Sequence, residues 1–291
     1  MILRIVAVVF PVFAIIAAGY WYGRRHRPDM LAANQVNMDV FVPALVFAAL
    51  AGKSFRFGDY GALALGCAVV VLGAGLLGWP LARLCGYAPK TLLPPMMFKN
   101  SGNMGLPLLV LAFGEEALPA AVVLFLVENF LHFSFGAWLL DHRVRLTNLW
   151  RVPVLFAGLA GMGVALSGVA LWPPMMTAVR MMGDVSIALM LFSLGVRLID
   201  APLAAWRIGL VGAIATPLTG MAVAALYGWI ADLSTREMDA LFVFGALPPA
   251  VLNFMFAERY GQEPEKVAAI VMMGNIAALV FVSVALGLRL H

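Results

Sequence analysis

KNSGNMGLPL, residues 99–108, decides how this chain folds. It sits inside an apolar run, with TLLPPMMF (91–98) before it and LVLAFG (109–114) after it. Lys99, Asn100, Ser101 and Asn103 bring polar groups to the middle of a membrane-length segment, and Gly105 and Pro107 spoil a helix there. In hydrocarbon each unpaired backbone N–H or C=O is costly, so a break is tolerated only where it faces protein or water. The stretch therefore predicts an interruption of the helical ladder across 102–107. A second half-helix is expected from about Leu106-Pro107, since Pro suits a first helical turn. Its free N–H groups and positive dipole end would lie at mid-membrane, where they suit a carboxylate.

The rest of the chain fits that setting. Of 291 residues, 63% are hydrophobic and 12% charged, which excludes an ordinary soluble domain. Ten runs are long and apolar enough to span a bilayer: 5–23, 33–52, 60–82, 91–113, 117–140, 152–171, 178–199, 207–231, 239–258 and 266–288. The first is read as a retained span, because Arg24, Arg25 and Arg27 follow it, whereas a signal peptide carries its charge in front. Twelve Lys and Arg fall on one set of loops and five on the other, Lys99 and Arg180 aside. The bias puts the first set in the cytoplasm and both termini outside. The net charge of +4 thus reports orientation, and no basic stripe with interleaved aromatics points to nucleic acid. Cys67 and Cys85 have no metal-type partners and are expected to be buried free thiols, and nothing in the sequence calls for a cofactor.

A weak internal repeat runs through the chain. Shifted by 147, Phe113-Gly114-Glu115-Glu116 falls on Tyr260-Gly261-Gln262-Glu263 and Glu128 on Asn275, while the broken fourth span falls on the ninth, interrupted by Leu247-Pro248-Pro249. Shifted by 145, Asp39 falls on Asp184. Two copies of five spans, 1–142 and 150–291, must enter the membrane in opposite senses. Inverted repeats with interrupted helices in matching places are the sequence mark of a secondary-transporter site. Half-helix N-termini at 105–108 and 248–251 would then converge, with Asn100, Ser101, Asn103 and Asn253 orienting an anion.

Other polar residues in the spans are candidates for ion coupling, because carboxylates in the bilayer are expensive. They are Asp39 in span 2, Asp184 in span 7, and Glu128 with His132, an i, i+4 pair in span 5. Asn275 takes the place of Glu128 in span 10. Lys99 is expected to snorkel to the cytoplasmic surface. The small residues Gly158 to Gly163 of span 6 read as a close helix contact. There is no HExxH, GxSxG or Walker motif for an enzyme, and no filter sequence for a channel.

NSGNMGLPLL (100–109), DVSIALMLFSLGVRL (184–198) and ALPPAVLNFMFAERYG (246–261) resemble the auxin efflux carrier family. The resemblance spans the whole chain and implies an all-α membrane protein of ten helices in two inverted five-helix repeats with helices 4 and 9 broken and crossing. It implies a substrate site around Asn100, Gly105, Pro107, Pro248 and Asn253, joined by Pro249 of the second break. It further implies a scaffold of spans 1, 2, 6 and 7, a homodimer, an elevator-like motion of the other spans, and, for a bacterial inner-membrane member, small carboxylates such as malate or malonate as substrates. The coupling ion is H+ or Na+; a sodium-coupled symporter of bile-acid type is the alternative within transport, and a channel or sensor the alternative outside it. Unlike the plant members, this chain has only a short basic turn at 141–151 between spans 5 and 6.

Overall fold

A computed structural model describes residues 2–51, 57–142, 152–200 and 205–290. Lys53, Arg56 and most of the basic turn (143–151), which holds the boundary between the two expected repeats, lie outside the described residues. The described residues are helical, without a strand. We label the helices α1 (Ile2–His26), α2 (Leu31–Leu50), α3 (Gly61–Leu84), α4 (Pro89–Met97), α5 (Ser101–Phe113), α6 (Glu115–Leu140), α7 (Pro153–Ser167), α8 (Pro173–Arg197), α9 (Trp206–Ile230), α10 (Thr235–Ala246), α11 (Leu252–Tyr260) and α12 (Pro264–Arg289). Seven of them, α1, α2, α3, α6, α8, α9 and α12, are long and apolar enough to cross a bilayer; with the shorter apolar helices they make an all-α membrane protein. The expected spans 91–113 and 239–258 are each split in two, and 152–171 is helical only from Pro153 to Ser167.

Local chemistry explains the ends. Proline opens α4, α7, α8 and α12, where its missing N–H costs nothing. Gly168 closes α7 with φ of 67° and Gly261 closes α11 with φ of 63°, a region that glycine enters without strain. Ser234 and Glu237 form a reciprocal capping box that starts α10.

The helices pack in two groups. α1 lies on α8, α2 on both α7 and α8; α3 lies on α4, α6 and α9, and α9 on α10 and α12. Within each group glycines let backbones meet. A Cβ on Gly19 would sit 2.1 Å from the Phe192 carbonyl oxygen, and one on Gly195 1.9 Å from that of Ile16, so α1 and α8 pack reciprocally. Gly220 of α9 and Gly245 of α10 do the same: a Cβ on Gly220 would lie 2.1 Å from the Gly245 oxygen. Between the groups the nearest approaches at glycine are to side chains, Gly158 to Leu126 and Gly287 to Ile5. Gly161 meets Leu50 and Phe47, while Gly163 has open space, so the span 6 glycines serve contacts inside the chain in part.

Among the described residues, three π-helical turns interrupt the regular helices: Asn37–Phe41 in α2, Ser101–Gly105 opening α5, and His132–Gly136 in α6. Such turns cluster at functional sites.

Candidate functional site: a crossover of two interrupted helices

The interruptions lie where two chains of half-helices cross. α4 ends at Met97, and Phe98 is extended (φ −99°, ψ 112°); α10 ends at Ala246, and Leu247 is extended (φ −62°, ψ 147°). The two extended segments pair antiparallel at Lys99 and Pro249. Asn100 N–H donates to the Pro248 carbonyl (2.7 Å) and Ala250 N–H to that of Phe98 (3.0 Å). Each break thereby satisfies the other, as backbone at membrane depth requires.

The first break therefore falls at 98–100 rather than across 102–107, and the second half-helix begins at Ser101, not at Leu106. The wide π turn of 101–105 carries the helix up to Pro107, whose ring and missing N–H would otherwise disturb a regular ladder. In the second break Pro248 and Pro249 belong to the extended segment, and α11 begins at Leu252. The N–H groups that precede the first intrahelical bonds are consequently those of 101–103 and 251–252.

Side chains brace the crossover. Asn253 donates to the carbonyls of Phe98 and Ala250, both at 3.0 Å. Asn275 donates to the carbonyls of Pro249 (3.1 Å) and Val271 (2.8 Å), and its Oδ1 accepts from Asn100 Nδ2 at 2.8 Å. Glu128 accepts the Lys99 backbone N–H on Oε1. The residues matched by the 147-residue shift, Glu128 and Asn275, thus both bind an extended segment, one accepting from it and one donating to it.

Lys99 does not snorkel. It is 1% exposed, and its ammonium donates to the Thr216 carbonyl (2.6 Å) beside the Gly220–Gly245 contact. Breaking α4 turns the Lys99 side chain toward α9 instead of the surface. Glu128 and His132 do not pair as their spacing implied. His132 stacks flat on Phe98 (centroids 4.1 Å apart, 4° between planes) and lies 4.9 Å from the Phe256 ring. The helix is still regular from Glu128 to His132, whose N–H donates to the Glu128 carbonyl, and the π turn begins only there. Among the described residues, four buried side-chain polar atoms have no hydrogen-bond partner: Asn37 Oδ1, Glu128 Oε2, His132 Nε2 and Asn253 Oδ1. Cys67 is buried, as expected, but Cys85 is exposed because it caps α3 at its end.

A cavity of about 350 Å³ opens beside the crossover. Its walls come from both helix groups: Asn34, Gln35 and Asn37 of α2 and Ser193 and Arg197 of α8 on one side, Lys99 to Asn103, Glu128, Asn129, His132 and the segment 250–252 on the other. All three π turns contribute to it. Of the expected substrate residues, Asn100, Ser101 and Asn103 line the cavity. Gly105, Pro107, Pro248, Pro249 and Asn253 stand behind it; Gly105 gives room to Leu247, whose Cδ1 would lie 2.7 Å from a Cβ there. Of the coupling candidates, Glu128 and His132 line it, Asn275 supports it through Asn100, and Asp39 and Asp184 are exposed on the far faces of α2 and α8, outside it. Periodicity explains the miss: on α2 the cavity face carries Asn34 and Asn37, and Asp39 lies off it. Asn34, Gln35, Asn37, Ser193 and Arg197 join the cavity wall without having been site candidates; the polar run Asn34-Gln35 and Asn37 inside a span is their signal in the sequence.

None of the curated proteins compared with the chain matches it significantly. A family model described as "Membrane transport protein" matches residues 4–145 and 139–286. Together the two matches take in nearly the whole chain, crossover and both groups of helices included, and the chain belongs to this family of membrane transporters, that of the auxin efflux carriers.

Proposed function

We propose that this transporter is a secondary carrier of small organic anions, carboxylates of the size of malonate or malate, and that it works by an elevator-type motion. The observation that carries the reading is the convergence of two half-helix N-termini, at 101–103 and 251–252, on one cavity that also receives the Asn100 and Asn103 side chains. Unpaired N–H groups at positive dipole ends favour a carboxylate, and half-helices arranged this way hold substrate in other transporter folds. Arg197, half-buried across the cavity, adds a permanent cation.

The motion rests on where polar contacts run. Tyr60 and Asp141 aside, the side-chain hydrogen bonds among described residues that join distant segments stay inside one group: Ser193 to Asn34 in α8–α2, and Cys67 to Leu124, Lys90 to Leu140, Tyr227 to Ala62 and Arg289 to Asp239 in the other. An interface held by apolar side chains can slide without leaving buried polar groups unpaired. The group of α1, α2, α7 and α8 would be the fixed scaffold. The matching packing of the halves supports ten crossings in two inverted repeats, 1–142 and 150–291, with both termini outside the inner membrane. Asp39 and Asp184, exposed on scaffold helices, fit a face covered by a second copy of the chain, because lipid is a poor neighbour for a carboxylate.

The second reading is a sodium-coupled symporter. It draws on the partnerless oxygens Asn37 Oδ1 and Asn253 Oδ1, since free acceptors suit a cation. Uptake of labelled malonate and malate into proteoliposomes, with a proton gradient, a sodium gradient or neither, separates the two. Saturable uptake of either anion supports the carrier. Macroscopic current without saturation would point to a channel and overturn it.

A further inference from the structure

The carrier reading leaves a charge to be explained. Glu128 stands in the wall of the same cavity that is to hold an anion, and it is 2% exposed. Its two oxygens differ. Oε1 accepts the Lys99 backbone N–H, whereas Oε2 is buried and meets no donor at hydrogen-bonding geometry, the Ser101 hydroxyl being the nearby polar side chain. Lys99 brings a cation close by, but its ammonium is engaged by the Thr216 carbonyl, and no ion pair joins it to Glu128 among the described residues. The other charged and titratable groups around Glu128 do not neutralise it. From α3 comes Cys67, whose thiol donates to the Leu124 carbonyl. On α6 itself His132 is stacked between rings. From α2 the only carboxylate, Asp39, is exposed on another face. α7 carries no titratable side chain. The carboxylate of α10 nearest the core, Asp239, is paired with Arg289. Arg197 lies on the opposite wall of the cavity.

A carboxylate substrate seated at 101–103 would thus share the cavity with a second carboxylate that has no ion-pair partner among the described residues. Like charges held in one cavity disfavour each other's ionised form. A proton on Oε2 removes the repulsion and turns a lone acceptor into a donor that can bond the incoming anion. Among the described residues, the buried partnerless side-chain oxygens that line the cavity are two, Glu128 Oε2 and Asn37 Oδ1, against the roughly six oxygens that a hard cation gathers.

We propose that Glu128 binds one proton at Oε2 each time the cavity binds an anion, so that protons and the carboxylate travel together. The proton comes from solvent on the loading side and returns to solvent on the other, and no bond of the substrate changes. Because Oε1 holds Lys99 of the crossing segment, the state of the carboxyl is transmitted directly to the crossover that cradles the substrate. This inference rests on the carrier reading and names its coupling ion.

The test uses the whole protein in proteoliposomes with malonate as the probe and a pH-sensitive dye inside. Wild-type protein should take up malonate together with protons, with no need of sodium. One linked proton makes the rate rise by up to about tenfold per unit of external acidification. Glu128→Gln keeps the shape and the neutral state of the protonated residue; it should move malonate at a rate indifferent to pH, with no proton signal. Wild-type protein that moves malonate without protons, or only with sodium, overturns the inference and leaves the carrier reading standing. So does a Glu128→Gln variant that still carries protons. Should that variant fail to fold, the wild-type proton signal decides alone. Wild-type protein that neither binds nor moves malonate or malate overturns both readings.

Discussion

Lys99 and Pro249 face each other across a single antiparallel bridge, 150 positions apart in the chain, at the point where two interrupted helices cross. The bridge accounts for the polar residues in the middle of apolar spans. Backbone groups freed by one break are used up by the other, and those left over, at the starts of α5 and α11, face a cavity.

Asn100 ties the cradle to α12 through its bond to Asn275 Oδ1. Asn100→Ala should lose most malonate uptake. It also leaves the Asn275 oxygen buried and unpaired, which costs about 1–3 kcal/mol. The protein should still fold, with a lowered melting temperature in detergent. Uptake at the wild-type rate in this variant would remove Asn100 from the substrate site.

Gly220 and Gly245 hold α9 against α10 directly behind the Lys99 ammonium. Gly220→Ala would drive a methyl group into the Gly245 carbonyl, which has little freedom to move. Overpacking of this kind costs about 1–3 kcal/mol or more. Gly163→Ala, in open space, should change stability little. Thermal unfolding of the two variants side by side measures the difference.

His132 stacks on Phe98 and lies 4.9 Å from the Phe256 ring, contacts that suit a packing role. His132→Phe should leave the pH profile of uptake unchanged in shape, in contrast to the flattening expected for Glu128→Gln. A flattened profile in His132→Phe would return the imidazole to the coupling path.

Glu263, in the turn before α12, accepts hydrogen bonds from Lys266 and from Thr91 Oγ1 (2.6 Å to the latter), and these bonds hold its carboxyl below the usual carboxylate range. A lowered value means that the contribution is present above the unfolded-state pKa and is lost as pH falls through the folded one. Thr91→Val should therefore destabilise slightly at neutral pH, since Glu263 is partly exposed to solvent screening. The difference from wild type should shrink in acid. Melting temperatures across an acid series follow it.

A sliding interface makes a further prediction. Gly158 of α7 abuts Leu126 of α6 across the two helix groups, while Ala62 of α3 and Tyr227 of α9 bond within one. A short thiol cross-linker on Gly158→Cys with Leu126→Cys should stop uptake. The same reagent on Ala62→Cys with Tyr227→Cys should not. Equal inhibition of both pairs would mean that the groups do not slide.

By itself the sequence determined the membrane class, the seven long apolar helices to within about five residues, and that the apolar runs 91–113 and 239–258 are interrupted, the first a few residues earlier than expected. These follow from local causes: hydropathy over about 20 residues, and polar residues or prolines set inside an apolar run. The family was legible in the same motifs. What the sequence could not carry was direction. Lys99 reads as a residue near a surface until the extended Phe98 turns it inward. Glu128 and His132 read as a pair until the Lys99 N–H takes the carboxyl and the Phe98 ring takes the imidazole. Asp39 and Asp184 drew attention by charge alone, yet the helix faces that meet the cavity are those of Asn34, Asn37 and Ser193. Only the tertiary structure decided these, because a shift of one residue along a helix turns a side chain by about 100°, and the contacts that fix that turn come from segments far away in the chain.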